Sequence, residues 1–369
     1  MNIPYLHLGR LNALCQPLLE QAALRVLRSG SYLNDQEVAR FEHSWAEANN
    51  ARHCVSTANG LDALTVALQG LKTLCQWPDG SEVIVSAHTF IASFLAITRA
   101  GLQPVPCDVS PDDYNISPSL IEPLITAHTV AIMPVHIYGR QCQMQPIRDI
   151  ADRHDLKVVT DSCQRHSADG SGSFTAALSD ATAFSFYPGK NLGAQGDAGC
   201  LITDSQELAD LARAYCNYGA TQKYCHTIKG CNSRMDSLQA AMLSAKLPLL
   251  DKHNNQRRQQ AERYNQEICN PLIALPYGGQ EADQSVWHIY PVFCQHRQQL
   301  RDWLDSHGIG TIIHYPTPPH RQAAYTELNP VSLPVTEHLC ATELSLPLNP
   351  TLTAEEQGYI IDTLNAFHP

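Results

Sequence analysis

Between about residues 52 and 203 the chain repeats one theme: a short apolar, often β-branched run, a polar or glycine turn, then a longer segment whose apolar positions recur at the helical period. The runs predict strands over 53–57, 82–86, 104–107, 130–135, 157–160, 182–186 and 199–203. The intervening period predicts helices over 61–71, 91–100, 118–126, 144–154 and 206–218. Strands of this kind, alternating with helices, imply an α/β domain: a mainly parallel seven-stranded sheet flanked by helices on both faces.

A long helical stretch follows near 236–266, and turn-rich segments such as 271–279 then lead into a different pattern of strands and helices. The expected division is a large domain over 1–250 and a smaller C-terminal α+β domain over 251–369. Neither an internal repeat nor a low-complexity linker interrupts the chain.

Composition narrows the classes. With 369 residues, 44% of them hydrophobic, the chain can bury a large core. No apolar run reaches the ~20 residues that span a bilayer, so no membrane association is expected. The opening residues Met1 to Tyr5 lack the basic and apolar regions of a signal peptide, and a cytoplasmic address is expected. The net charge of −11 repels phosphate backbones and no basic block offsets it, which disfavours nucleic acid as a partner. Thirteen scattered cysteines argue against a disulfide framework. No pair has C-x-x-C spacing, and Cys225, His226 and Cys231 lack the paired knuckles of a zinc site, so no metal is expected.

In an open α/β sheet ligands bind beyond the carboxyl ends of the strands, so the turns there carry the candidate chemistry. After the first strand, Asn59, Gly60 and Leu61 open a helix whose free amides and dipole suit a phosphate, although a plain helix start looks the same. After the fifth, Asp161 ends an apolar strand, with Gln164 and His166 close behind. A buried carboxylate needs a partner, and a protonated ring nitrogen would serve; a turn-capping Asp is the alternative. After the sixth, Tyr187, Pro188 and Gly189 deliver Lys190 ahead of a glycine-rich run, a placement suited to Schiff-base chemistry. Phosphate, ring nitrogen and aldehyde are the three handles of pyridoxal 5'-phosphate (PLP).

At these residues the chain resembles the DegT/DnrJ/EryC1/StrS family. The resemblance rests on residues 184–193 (FSFYPGKNLG), on Asp161, Gln164 and His166, on 134–139 (PVHIYG), and on Gly230, Asn232, Arg234 and Gln239. It continues through 285–288 (SVWH), 314–316 (HYP), His320 and 346–348 (LPL). The family consists largely of PLP-dependent nucleotide-sugar aminotransferases with the type I, aspartate aminotransferase fold. The resemblance implies that Lys190 holds PLP as an internal aldimine and Asp161 partners the pyridinium nitrogen. It implies Phe90 stacked on the ring, Gly60 and Leu61 giving amides to the phosphate, Ser185 adding a hydroxyl, and Gln164 reaching the phenolic oxygen. Asn232 would reach the phosphate of the neighbouring subunit's cofactor, which implies a homodimer with shared active sites. His314, Tyr315 and His320 fall where the family closes over substrate.

The chain departs from the family where Leu61 stands in place of a frequent threonine, so backbone donors must carry that phosphate contact. Arg165 replaces a small residue and is expected to add a charge near the substrate entrance.

The resemblance further implies L-glutamate as amino donor and a nucleotide-linked keto sugar as acceptor. Residues 59–64 (NGLDAL), with Phe90, Ala92, Gly101 and Val105, resemble the subgroup acting at C3 of dTDP-3-oxo-6-deoxyhexoses; C4 amination of a 4-oxo sugar is the alternative. A related PLP enzyme that removes a hydroxyl is expected to have histidine where this chain has Lys190. A non-catalytic regulator on the same fold sits poorly with an intact Lys190, Asp161 and Gln164. A nicotinamide dehydrogenase is disfavoured because no G-x-G-x-x-G follows the first strand.

Overall fold

A computed structural model describes residues 1–167, 178–279 and 285–369. Seven strands form the main sheet: β1 (His53–Thr57), β2 (Glu82–Ser86), β3 (Gln103–Cys107), β4 (Thr129–Met133), β5 (Lys157–Asp161), β6 (Ala181–Ser185) and β7 (Gly199–Thr203). They lie in the order β1-β7-β6-β5-β4-β2-β3. Pairings from β3 across to β6 are parallel, while β7 is antiparallel to both β6 and β1. Both faces are buried, as expected for parallel strands. Val83 and Val85 point into one apolar layer and Ile84 into the other, the period-two alternation of a strand.

Three helices precede the sheet, α1 (Leu8–Ala13), α2 (Gln16–Ser29) and α3 (Gln36–Ala48); they lie ahead of the segment in which periodicity was read. Asp35 caps α3 by accepting from the amides of Glu37 and Val38 at 3.0 and 3.4 Å. Within the sheet region follow α4 (Gly60–Cys75), α5 (Ala92–Arg99), α6 (Pro118–Ile121), α7 (Met144–Arg153) and α8 (Gln206–Cys216). Helices α4, α5 and α8 cover one face, while α7 and α3 cover the other. The helix expected over 118–126 stops at Ile121 and tightens into a 3-10 turn over Glu122–Leu124. Pro123 explains this, because it lacks the amide that would donate four residues back and its ring crowds that carbonyl.

The stretch expected over 236–266 is two helices, α9 (Ser237–Lys246) and α10 (Leu250–Glu267), divided by a 3-10 turn over Leu247–Leu249 at Pro248. Before them, β8 (Ala220–Gln222) and β9 (Cys225–His226) make a small hairpin. Beyond them, β10 (Tyr290–Phe293) pairs antiparallel with β11 (Glu343–Leu346), surrounded by α11 (Arg297–Ser306), α12 (Pro334–Thr342) and α13 (Ala354–Asn365). The core of this C-terminal layer also takes in Tyr114 and Tyr138 from the sheet region and Ile3 from the start of the chain. Ile3 pairs with Ile309 as an isolated bridge. Among the described residues, no helix is long and apolar enough to cross a membrane.

Candidate active site

The site begins where β1 turns into α4. Asn59 caps the helix, its Oδ1 accepting from the Asp62 amide at 2.8 Å. A Cβ on Gly60 would lie 2.5 Å from the Cβ of Ser185, and one on Gly199 would lie 2.4 Å from the Asn59 carbonyl carbon. Only glycine therefore lets this turn lie against the ends of β6 and β7. The first-turn amides of α4, including Gly60 and Leu61, have no acceptor inside the helix, and the dipole makes this end positive. A phosphate fits that end.

Asp161 stands at the end of β5 and is only 5% exposed. Its Oδ2 accepts from the Ser93 hydroxyl at 2.8 Å and its Oδ1 from the Cys163 amide at 3.1 Å. Two donors thus hold the two carboxyl oxygens in place. Gln164 is fixed at both ends of its amide: Oε1 accepts from the Tyr138 backbone N–H at 2.6 Å, and Nε2 donates to the Tyr315 hydroxyl at 2.9 Å. The Tyr315 ring lies 5.4 Å from that of Phe90, which is 54% exposed.

Lys190 follows the Tyr187-Pro188-Gly189 turn, which closes with the Lys190 amide donating to the Tyr187 carbonyl at 2.8 Å. Burial pushes its ammonium below the ordinary lysine range, while nearby Cys163 and Asp161 pull the other way. A lysine so placed gives up its proton more readily than one in water, which suits a nucleophilic amine. The same neighbourhood acts on His314, whose imidazolium is pushed down to about 4 by burial and by the Lys190 charge. Tyr138 also belongs here, with its hydroxyl 2.8 Å from His88 Nε2 and donating to the His314 carbonyl at 2.7 Å.

The structure thus gathers Lys190, Asp161, Gln164, Phe90, Ser185, Gly60, Leu61, His314 and Tyr315 around the carboxyl ends of the strands. Asn232 is exposed; beside it Ser233 donates to Asp62 at 2.8 Å and accepts from the Ala58 amide at 3.0 Å, fastening the loop to the start of α4. Arg165 is not at an entrance. It is 5% exposed, and its charge falls on buried His136 and Cys142, because the turn after Asp161 aims it inward. His320 is 0% exposed, and its Nε2 lies 3.1 Å from Glu337, so its contact is with α12. Reading the sequence gave no role to Ser93, Tyr138, Cys163 or Ser233, although Tyr138 lies in the 134–139 motif, Cys163 sits between Asp161 and Gln164, and Ser93 lies one helical turn after Phe90.

The pattern of the DegT/DnrJ/EryC1/StrS aminotransferase family matches residues 16–365. The chain belongs to this family. It is 42% identical over 99% of its length to the erythromycin biosynthesis sensory transduction protein EryC1 of Saccharopolyspora erythraea, covering all of that protein. It is likewise 42% identical to the dTDP-3-amino-3,6-dideoxy-alpha-D-galactopyranose transaminase of Aneurinibacillus thermoaerophilus, with 99% of both chains covered. The structure of NtdA from Bacillus subtilis, with bound cofactor PMP, matches at a TM-score of 0.91 and 31% identity, covering 98% of this chain and 84% of that one. The enzyme is a PLP-dependent aminotransferase. Its residues fit that cofactor: a helix start that only glycine lets lie against Ser185, a doubly held carboxylate, and a buried lysine whose charge burial disfavours.

Proposed function

We propose that this aminotransferase moves the amino group of L-glutamate to C3 of a dTDP-linked 3-oxo-6-deoxyhexose. The observation that carries the reading is the end-to-end similarity to a transaminase of a dTDP-3-amino sugar, together with a complete constellation of Lys190, Asp161 and Gln164. That constellation also favours catalysis over a purely regulatory role.

When bound, PLP supplies an electron sink for the carbon that loses its proton. Gly60, Leu61 and Ser185 would hold its phosphate, Phe90 would cover its ring, and Gln164 would meet its phenolic oxygen. Asp161 keeps a proton on the ring nitrogen, with Ser93 and the Cys163 amide holding its two oxygens in place. Lys190 would anchor the cofactor, and its amine is placed to move the proton of the substrate carbon. His314 and Tyr315 meet the sugar, since both face this group and both are neutral: burial raises the Tyr315 phenol as it lowers the His314 imidazolium.

The working unit in this reading is a homodimer in the cytoplasm, with Asn232 reaching the neighbouring cofactor's phosphate. Exposed Leu18, Leu24 and Leu27 on α2, with Tyr218 and Tyr224, offer apolar surface for such an interface.

The test supplies glutamate with matched dTDP-linked 3-oxo and 4-oxo sugars and locates the new amine by NMR. Amination at C3 is expected. Turnover of the 4-oxo sugar alone would overturn the regiochemistry and leave the aminotransferase intact.

A further inference from the structure

The C-terminal layer buries a carboxyl group that the transfer chemistry has not used. Glu343 opens β11 and is 0% exposed. Its Oε2 accepts the backbone N–H of His314 at 2.6 Å, and its Oε1 meets the hydroxyl of Ser345. That hydroxyl lies 2.8 Å from Nδ1 of His314 and also neighbours the phenol of Tyr5.

A serine hydroxyl has one hydrogen and two lone pairs, so its partners constrain each other. With Glu343 ionised, Ser345 must donate to the carboxylate. Its lone pairs then accept from Tyr5 and from His314, which requires the hydrogen on Nδ1 and leaves Nε2 bare. With Glu343 protonated on Oε1 the chain reverses: the carboxyl donates to Ser345, Ser345 donates to Nδ1, and the ring hydrogen moves to Nε2. Tyr5 donates to Ser345 in both arrangements. Nδ1 is occupied either way, so Nε2 is the nitrogen left to meet a ligand.

We propose that Glu343 is a positioning residue for amino transfer: through Ser345 it decides which nitrogen of His314 carries the hydrogen, and so whether His314 meets the sugar as acceptor or as donor. The proposal rests on the reading that His314 faces the substrate. Burial pushes the Glu343 carboxyl up to about 8, although Ser345, the His314 amide and Arg297 each favour its ionised form, so both arrangements are accessible near neutral pH. The other ionisable groups acting on or acted on by Glu343 are Tyr5, Tyr138, Tyr315, Cys340, His314 and Arg297. Burial raises the phenols and the thiol and lowers the imidazolium, which leaves Glu343 as the one of these groups that changes charge in this range; Lys190, whose charge also falls on His314, is itself pushed down by burial.

The test uses holoenzyme labelled with nitrogen-15 at histidine. The ring nitrogens of His314, assigned by their loss in His314→Gln, are followed as pH is raised. In the wild type the hydrogen should pass from Nε2 to Nδ1 as Glu343 ionises, and the KM for the sugar should shift about tenfold with little change in kcat, the effect of one hydrogen bond. In Glu343→Gln both responses should vanish. Should that variant fail to fold, Ser345→Ala cuts the same relay while keeping the carboxyl, and the same losses are expected. His314 shifts that still change with pH as in the wild type, in either variant, overturn the proposal. An unchanged sugar KM in His314→Gln removes His314 from the substrate, and with it the catalytic part of the proposal; that failure is distinguishable because the nitrogen shifts report the relay independently.

Discussion

The hydroxyl of Ser93 donates a 2.8 Å hydrogen bond to Oδ2 of Asp161, joining the first turn of α5 to the end of β5. Thr89 lies 2.8 Å from the same hydroxyl and backs it from the preceding turn. A hydrogen bond to a charged group is worth roughly 1.5–3 kcal/mol, so Ser93→Ala should slow the glutamate half-reaction about tenfold or more. Single-turnover absorbance changes measure this, and a wild-type rate would show that Asp161 does not need the second donor.

Gly60 is the position where a single methyl group should matter most. Its added Cβ would lie 2.5 Å from Ser185 and 2.9 Å from the Cys163 sulfur. Gly60→Ala should lower stability by about 1–3 kcal/mol through overpacking and should also speed cofactor loss, because the displaced turn carries the phosphate amides. Thermal melting and the dissociation rate of the cofactor are the two readouts. Normal retention in a destabilised variant would separate the turn from the phosphate.

The proposed homodimer with shared active sites makes a prediction that single variants cannot test. Lys190→Ala and Asn232→Ala should each be impaired as pure proteins. If Asn232 serves the neighbouring subunit, a hybrid dimer of the two concentrates both lesions in one site and leaves the other intact. Mixing after unfolding and refolding should therefore restore activity. A mixture no better than its parts would assign Asn232 to its own subunit. Borohydride reduction of the wild-type holoenzyme should leave the cofactor's mass on the Lys190 peptide alone.

Glu343 also ties stability to pH. Its carboxyl sits at about 8 in the fold against an ordinary value of 4.5, so the native protein binds this proton more tightly than the unfolded chain does. The resulting stabilisation is complete below about 4.5 and declines as pH rises through about 8. Glu343→Gln, which cannot ionise, should flatten that decline. Urea unfolding at several pH values between about 5 and 8 measures it, and parallel declines in both proteins would contradict the assignment.

Most of the sheet was legible because each strand is a short run, apolar on both faces and closed by a turn; β1, β2 and β7 coincide with the expected 53–57, 82–86 and 199–203. Helix ends were less so, since they depend on prolines such as Pro123 and Pro248, which break a pattern that periodicity alone carries through. In the site, Lys190, Asp161 and Gln164 could be read because each sits in a strand-end turn with its own local chemistry. Ser233 holding Asp62, or Glu343 holding His314, could not: each pair is far apart in sequence, and no spacing records the meeting. Arg165 misled for the same reason, because one residue's rotation about a turn decides whether a side chain faces ligand or core.

The pairing of Ile3 with the far end of the chain sets an order of events during synthesis. The Ile3 amide donates to the Gly308 carbonyl at 2.7 Å, and the Ile3 carbonyl accepts from Gly310 at 2.8 Å. Those partners are made some 300 residues later, about 15–60 s at typical rates of translation. For that interval the first residues have nothing to pair with, whatever the sheet has already achieved. Closure of the C-terminal layer over Lys190 is thus a late, long-range step, and a nascent chain caught before residue 309 should hold much of its sheet with its leading segment still open to proteases.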